Sequence, residues 1–166
     1  MLSKITRTLT VVSLASSPRV FDRMLGGLAA NDAAWDLRPY PDRFTLREIV
    51  AHLADMEAVW NQRIRRMREE ENPDLPNVDE NELAVKHDYT HRDPYDSLTR
   101  FQAEREDTLR FLGGLLDEEW QRTGMIMGRI SMTIEVLAVH IAGHDGYHTG
   151  QVADWLGFVP LTPSPP

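Results

Sequence analysis

The chain has 166 residues, 42% of them hydrophobic and 27% charged, which fits one folded domain with a core large enough to need no covalent staple. Its formal net charge of -8 argues against a nucleic-acid backbone as direct partner. The absence of cysteine excludes disulfides, thiolate metal sites and a cysteine nucleophile.

No apolar run reaches the roughly 20 residues that span a bilayer, so no membrane association is expected, and the expected location is the cytoplasm. Leu9-Thr10-Val11-Val12-Ser13-Leu14-Ala15, behind Lys4 and Arg7, faintly resembles a signal peptide. Threonine and serine interrupt it and no clear cleavage site follows, so it reads as part of the first helical region. The one basic run, Arg63 to Arg68, is followed at once by Glu69-Glu70-Glu71 and reads as a solvated helix face.

In chain order, Val20, Phe21, Met24, Leu25 and Leu28 mark the body of a first helix over 18–30. Its start is open between Lys4 and a break near Pro18. The prolines of Asp36-Leu37-Arg38-Pro39-Tyr40-Pro41-Asp42-Arg43 make a loop. Thr45-Leu46-Arg47-Glu48 is a capping box, and the helix it opens runs to about Glu70 on Leu46, Ile49, Val50, Leu53, Met56, Val59, Trp60 and Ile64. Residues 72–92 form a long acidic connection with room for a short helix at Glu80–Val85. Asp93-Pro94 opens a third long helix, with Tyr95, Leu98, Phe101, Leu109, Leu112 and Leu116 on its apolar face and Gly113-Gly114 near its end. Residues 117–130 form a second connection with Trp120 turned inward. The last helix starts near Ser131 or Thr133 and passes through Trp155-Leu156 to Gly157, with Pro160 forbidding continuation. The tail from 158 to 166 is expected to be extended.

These elements predict an all-α four-helix bundle with long connections, one domain over 1–166 with its core at about 5–157. The rival is an α+β domain with a short hairpin hidden in 123–132. It is disfavoured because no segment alternates with period two. The second and last helices echo each other: Phe44-Thr45-Leu46 reads like Met132-Thr133-Ile134, and His52 and His140 each stand seven residues after the threonine. The echo breaks where Met56 and Trp60 stand in place of His144 and His148.

His140, His144 and His148 fall at i, i+4 and i+8, on one helix face a turn apart. Imidazoles so placed can share one cation, and a ligand from another helix, such as His52, would complete a site with open positions. The rival readings are a surface stripe and buried packing, the latter leaving several ring nitrogens without partners. Gly143, Gly146 and Gly150 cost helix stability and suggest that something approaches closely: a helix, a subunit or a ligand. Gln151 lies on the His148 side and could orient it. Asp145 sits off the His144–His148 line and reads as an acceptor supporting a ligand or as a surface charge, and Glu135, Asp55 and Glu57 share that doubt. His87 and His91, among charged neighbours, read as exposed.

The segments Phe44-Thr45-Leu46-Arg47-Glu48-Ile49-Val50-Ala51-His52-Leu53-Ala54 and His144-Asp145-Gly146-Tyr147-His148-Thr149-Gly150-Gln151 resemble the DinB-like (DinB/YfiT) superfamily of metalloenzymes in order, separation and helical context. The resemblance spans about residues 5–157. It implies a four-helix bundle, often a homodimer. It also implies a divalent metal, usually zinc or nickel with iron or manganese possible, held by His52, His144 and His148. His140, one turn earlier, is left as a packing or supporting residue, beside Gln151 and Asp145. Similar proteins include thiol transferases that use bacillithiol or mycothiol and a mycothiol-dependent isomerase. The resemblance therefore implies a low-molecular-weight-thiol S-transferase acting on a small thiol and an electrophile. The alternatives are a metal-dependent hydrolase and a non-catalytic, stress-related metal-binding scaffold.

Overall fold

A computed structural model describes residues 4–157; the extended tail expected at 158–166 lies outside them. Four long helices carry the fold: α1 (Lys4–Leu25), α2 (Leu46–Glu69), α4 (Pro94–Gly113) and α5 (Ile134–Leu156). A short α3 (Glu80–Lys86) lies in the connection between α2 and α4. The chain is therefore mostly helical, as its patterning predicts.

Side-chain pairs fix the helix directions. Arg7 Nε donates to Glu135 at 2.6 Å and Ser17 Oγ to Asp145 at 2.5 Å, so α1 and α5 run parallel. Arg100 Nη1 meets Asp55 and Arg105 Nη2 meets Glu57, so α2 and α4 also run parallel. A parallel pair needs a connection that returns the chain along the bundle. With 24 residues, α2 is about 36 Å long. Residues 70–93 make that return, which is the physical reason for the long acidic connection.

The core divides into two apolar clusters, one around Trp60, Ile64, Met67, Leu112 and Ile141, the other around Phe21, Trp35, Ile49, Phe101 and Trp155. Between them lies a buried polar belt from all four long helices: Ser17, His52, Glu57, Arg105, Asp145 and His148.

Helix starts follow the sequence. Thr45 Oγ1 accepts from Glu48 N at 3.3 Å while Glu48 Oε2 accepts from Thr45 N at 2.7 Å, the capping box in full. Thr133 caps α5 by accepting from Val136 N.

One open point closes and one expectation changes. The first helix is continuous from Lys4 and passes through Pro18 without a break. Proline has no N–H to offer the carbonyl four residues back. That carbonyl, on Leu14, instead accepts from Arg105 Nη1 at 2.9 Å. The change is the hairpin. β2 (Thr123–Ile126) and β3 (Ile130–Thr133) pair antiparallel, and β1 (Asp74–Leu75) adds in parallel to β2. Strands of four residues lying beside a helix end are too short to show alternation. The turn uses left-handed φ at Met127 and Gly128. Gly124 is required by packing, since a Cβ there would lie 2.7 Å from Leu75 Cδ1 and 2.9 Å from Met67 Cγ. The glycines of α5 behave otherwise: a Cβ at Gly143, Gly146 or Gly150 would meet nothing within 4 Å, so no close approach explains them among the described residues.

Candidate metal centre

His52 projects from the second turn of α2 and His144 and His148 from successive turns of α5, and they converge at the belt between the two apolar clusters. One ring nitrogen from each lies within 4.8 Å of the others. The Nε2 atoms of His52 and His144 are 3.0 Å apart. The ring centroids of His144 and His148 are separated by 4.5 Å, and those of His52 and His148 by 4.9 Å. His52 and His148 are buried, His144 partly so.

Burial disfavours the charged form of each ring. Desolvation, with a contribution from His148, pushes the His52 pKa down to about 3. Desolvation, then His148 and His52, pushes His144 down to about 2. Burial also lowers His148. All three are therefore neutral near pH 7, the form that ligates metal.

The cluster fits a divalent cation. Zinc–imidazole bonds of about 2.0–2.1 Å in tetrahedral array put ligand nitrogens about 3.4 Å apart, a spacing that these rings reach with small shifts. His148 Nδ1 donates to Gln151 Oε1 at 2.9 Å, which leaves its Nε2 lone pair free for a cation. His52 Nδ1 is buried without a partner.

The other sequence candidates separate. Gln151 lies against His148 through that hydrogen bond, on the side its spacing suggests. His140 is exposed and stands edge-on to Trp60, with centroids 5.2 Å apart, so it packs at the margin and is not one of the three converging rings. Asp145 is not the surface charge that is one of its two readings: among the described residues it hydrogen-bonds to no histidine, and it acts on His148 only through its charge, which favours the protonated ring. It is buried and faces α4 and α1, accepting from Arg105 Nη1 at 2.6 Å and Nη2 at 3.1 Å and from Ser17 Oγ at 2.5 Å. Glu57 joins the same guanidinium at 2.7 Å. Burial opposes Arg105's charge, but the hydrogen bonds it donates to Glu57 and Asp145 outweigh it and raise its pKa. Glu135 pairs with Arg7. Asp55, one turn beyond His52, accepts from His87 Nδ1 at 2.6 Å, Arg92 Nη1 at 3.1 Å and Arg100 Nη1 at 2.5 Å. Asp55 thereby pins the return connection and the start of α4 to α2. His87 is half-buried in that cluster and His91 is exposed beside Asp88, both away from the three rings.

A cavity of about 420 Å³ opens onto His144 and His148. Tyr147 and Gln151 line it from α5, Asp42, Arg43 and Phe44 from the loop before α2, and Glu80 and Asn81 from α3. The sequence reading missed Arg43, Tyr147 and Glu80 here and Arg105 behind the site. Nothing in their local spacing marks them. Arg105, between Glu104 and Glu106, reads as one more charge on a solvated face.

The arrangement is that of a helical bundle whose three-histidine cluster, facing a cavity, could hold a metal ion. The chain belongs to the DinB superfamily, whose family model matches residues 14–152. A solved structure, YfiT from Bacillus subtilis, superposes with a TM-score of 0.86 at 21% identity, covering 96% of this chain and 92% of that one. That protein is described as a probable metal-dependent hydrolase with an unusual four-helix bundle topology. At this identity the likeness speaks for the fold. No curated protein matches the chain.

Proposed function

We propose that the protein is a divalent-metal-dependent enzyme that transfers a low-molecular-weight thiol to an electrophilic small molecule. The observation that carries the reading is the convergence of one nitrogen each from His52, His144 and His148 within 4.8 Å. A divalent cation held there supplies Lewis acidity that lowers the pKa of a thiol or of water. His52, His144 and His148 would hold the cation, and Gln151 keeps His148 in the ligating tautomer. Phe44 packs beside His52 and Trp60 beside His144. The cavity of about 420 Å³ falls in the size range of small-molecule sites. With no cysteine in the chain, sulfur chemistry requires an external thiol.

Hydrolysis is the second reading, favoured by the description of the similar YfiT structure. One experiment separates the two. Tag-free protein is loaded with zinc or nickel, its metal content is measured, and it is presented with bacillithiol or mycothiol plus an electrophile panel, and separately with ester and amide substrates. Thioether formation that requires metal and disappears in His148→Ala supports thiol transfer. Metal-dependent hydrolysis without thioether formation moves the assignment to the second reading. Failure to retain zinc or nickel would remove both.

A further inference from the structure

Arg43 is the only lysine or arginine among the described residues lining the cavity onto His144 and His148. Its Nη1 donates to Tyr147 Oη at 3.2 Å, and it forms no ion pair among the described residues. Tyr147 in turn stands edge-on to His148, with ring centroids 5.0 Å apart. One neutral hydroxyl thus ties an otherwise uncommitted guanidinium to the ring of a candidate ligand.

The backbone that carries Arg43 is held firmly. Its N–H donates to Tyr40 O at 3.2 Å and its carbonyl accepts from Arg38 Nη1 at 2.5 Å. Arg38 is itself gripped by both oxygens of Glu48, at 2.9 and 2.7 Å, and Glu48 is the capping-box residue of α2. Next in the chain, Phe44 O accepts from Trp155 Nε1 at 3.0 Å, and Tyr40 packs on the same indole. Fixing the loop in advance removes much of the ordering cost of using a long side chain for binding.

A guanidinium so placed accepts an anion in fork geometry. The surrounding charge narrows the class. Asp42 and Glu80 also line the cavity, so an anion at Arg43 has two carboxylates nearby, which penalises a dianion such as a phosphate monoester more than a monoanion. A single carboxylate meets a matching partner in Arg43, with the Tyr147 hydroxyl alongside. We propose that Arg43 anchors a carboxylate of the substrate, which therefore carries that group a few bonds from the atom that approaches the imidazoles. This specificity role rests on the metal-centre reading above.

The test uses zinc-loaded full-length protein and calorimetric binding of hydroxamates, which seek the metal. Acetohydroxamate is compared with the monohydroxamates of succinic, glutaric and adipic acids and with their methyl esters. Of the carboxylate probes, at least one should bind about tenfold more tightly than acetohydroxamate and than its own ester, as a charge-assisted hydrogen-bonded pair implies. That advantage should vanish in Arg43→Gln, survive in part in Arg43→Lys, and shrink at high salt. Equal affinity for charged and neutral probes, or an advantage that persists in Arg43→Gln, overturns the anchor while leaving the metal centre standing. Absence of binding by every hydroxamate overturns the metal centre and the anchor with it.

Discussion

Arg105 Nη1 lies 2.6 Å from Asp145 Oδ2, and both side chains are buried at the level of the histidine cluster. Asp145 follows His144 directly, so α5 turns a ligand candidate toward the cavity and an ion pair toward α1 and α4 at the same height. The guanidinium also reaches Glu57, Ser17 and the Leu14 carbonyl freed by Pro18, linking all four long helices.

Removing that cation strands Asp145 and Glu57 in the interior. Arg105→Met should cost about 3–5 kcal/mol of folding stability, as loss of one partner from a buried charge cluster does. Urea unfolding followed by circular dichroism checks it, and a loss under 1 kcal/mol would mean the network relaxes or hydrates.

Gln151 holds His148 through Nδ1, so its effect should fall on metal affinity more than on folding. Gln151→Ala should weaken zinc binding about 10–100-fold, measured by competition with a chelating dye, with the thermal midpoint of the metal-free protein little changed. Unchanged affinity would remove Gln151 from the centre.

Acid should unfold the metal-free protein through the same rings. The His52 and His144 pKa values are pushed down to about 3 and 2, and His148 is lowered too. An unfolded histidine titrates near 6.5. Below that pH the unfolded chain binds protons that the folded chain refuses, so stability falls as pH drops from about 6.5 toward 3. Urea midpoints from pH 8 to pH 4 should show this, and His52→Gln should flatten the slope. Bound zinc should move acid unfolding to lower pH, because metal and proton compete for the same nitrogens.

Gly124 tests the small sheet. Gly124→Ala forces a methyl against the buried Leu75 and Met67 side chains and should cost about 1–3 kcal/mol. Gly146→Ala, with nothing within 4 Å of the added atom, should leave stability equal or higher. Thermal unfolding of the two variants side by side checks the contrast.

Local rules made much of this protein legible from residues alone. The Thr45–Glu48 capping box, Pro94 at a helix start and the three-and-four spacing of apolar residues set the long helices, because each acts within a turn or two of chain. The i, i+4 pair His144 and His148 was visible for the same reason, and so was the Gln151 position beside it. The rest depended on which elements meet. The parallel α2–α4 pairing, Asp145 turning toward Arg105, His140 leaving the cluster, and Arg43 arriving beside Tyr147 all join residues far apart in the chain. Those contacts are selected by burial and by the need to partner buried charge. Such forces act through space, so helical periodicity carries no record of them.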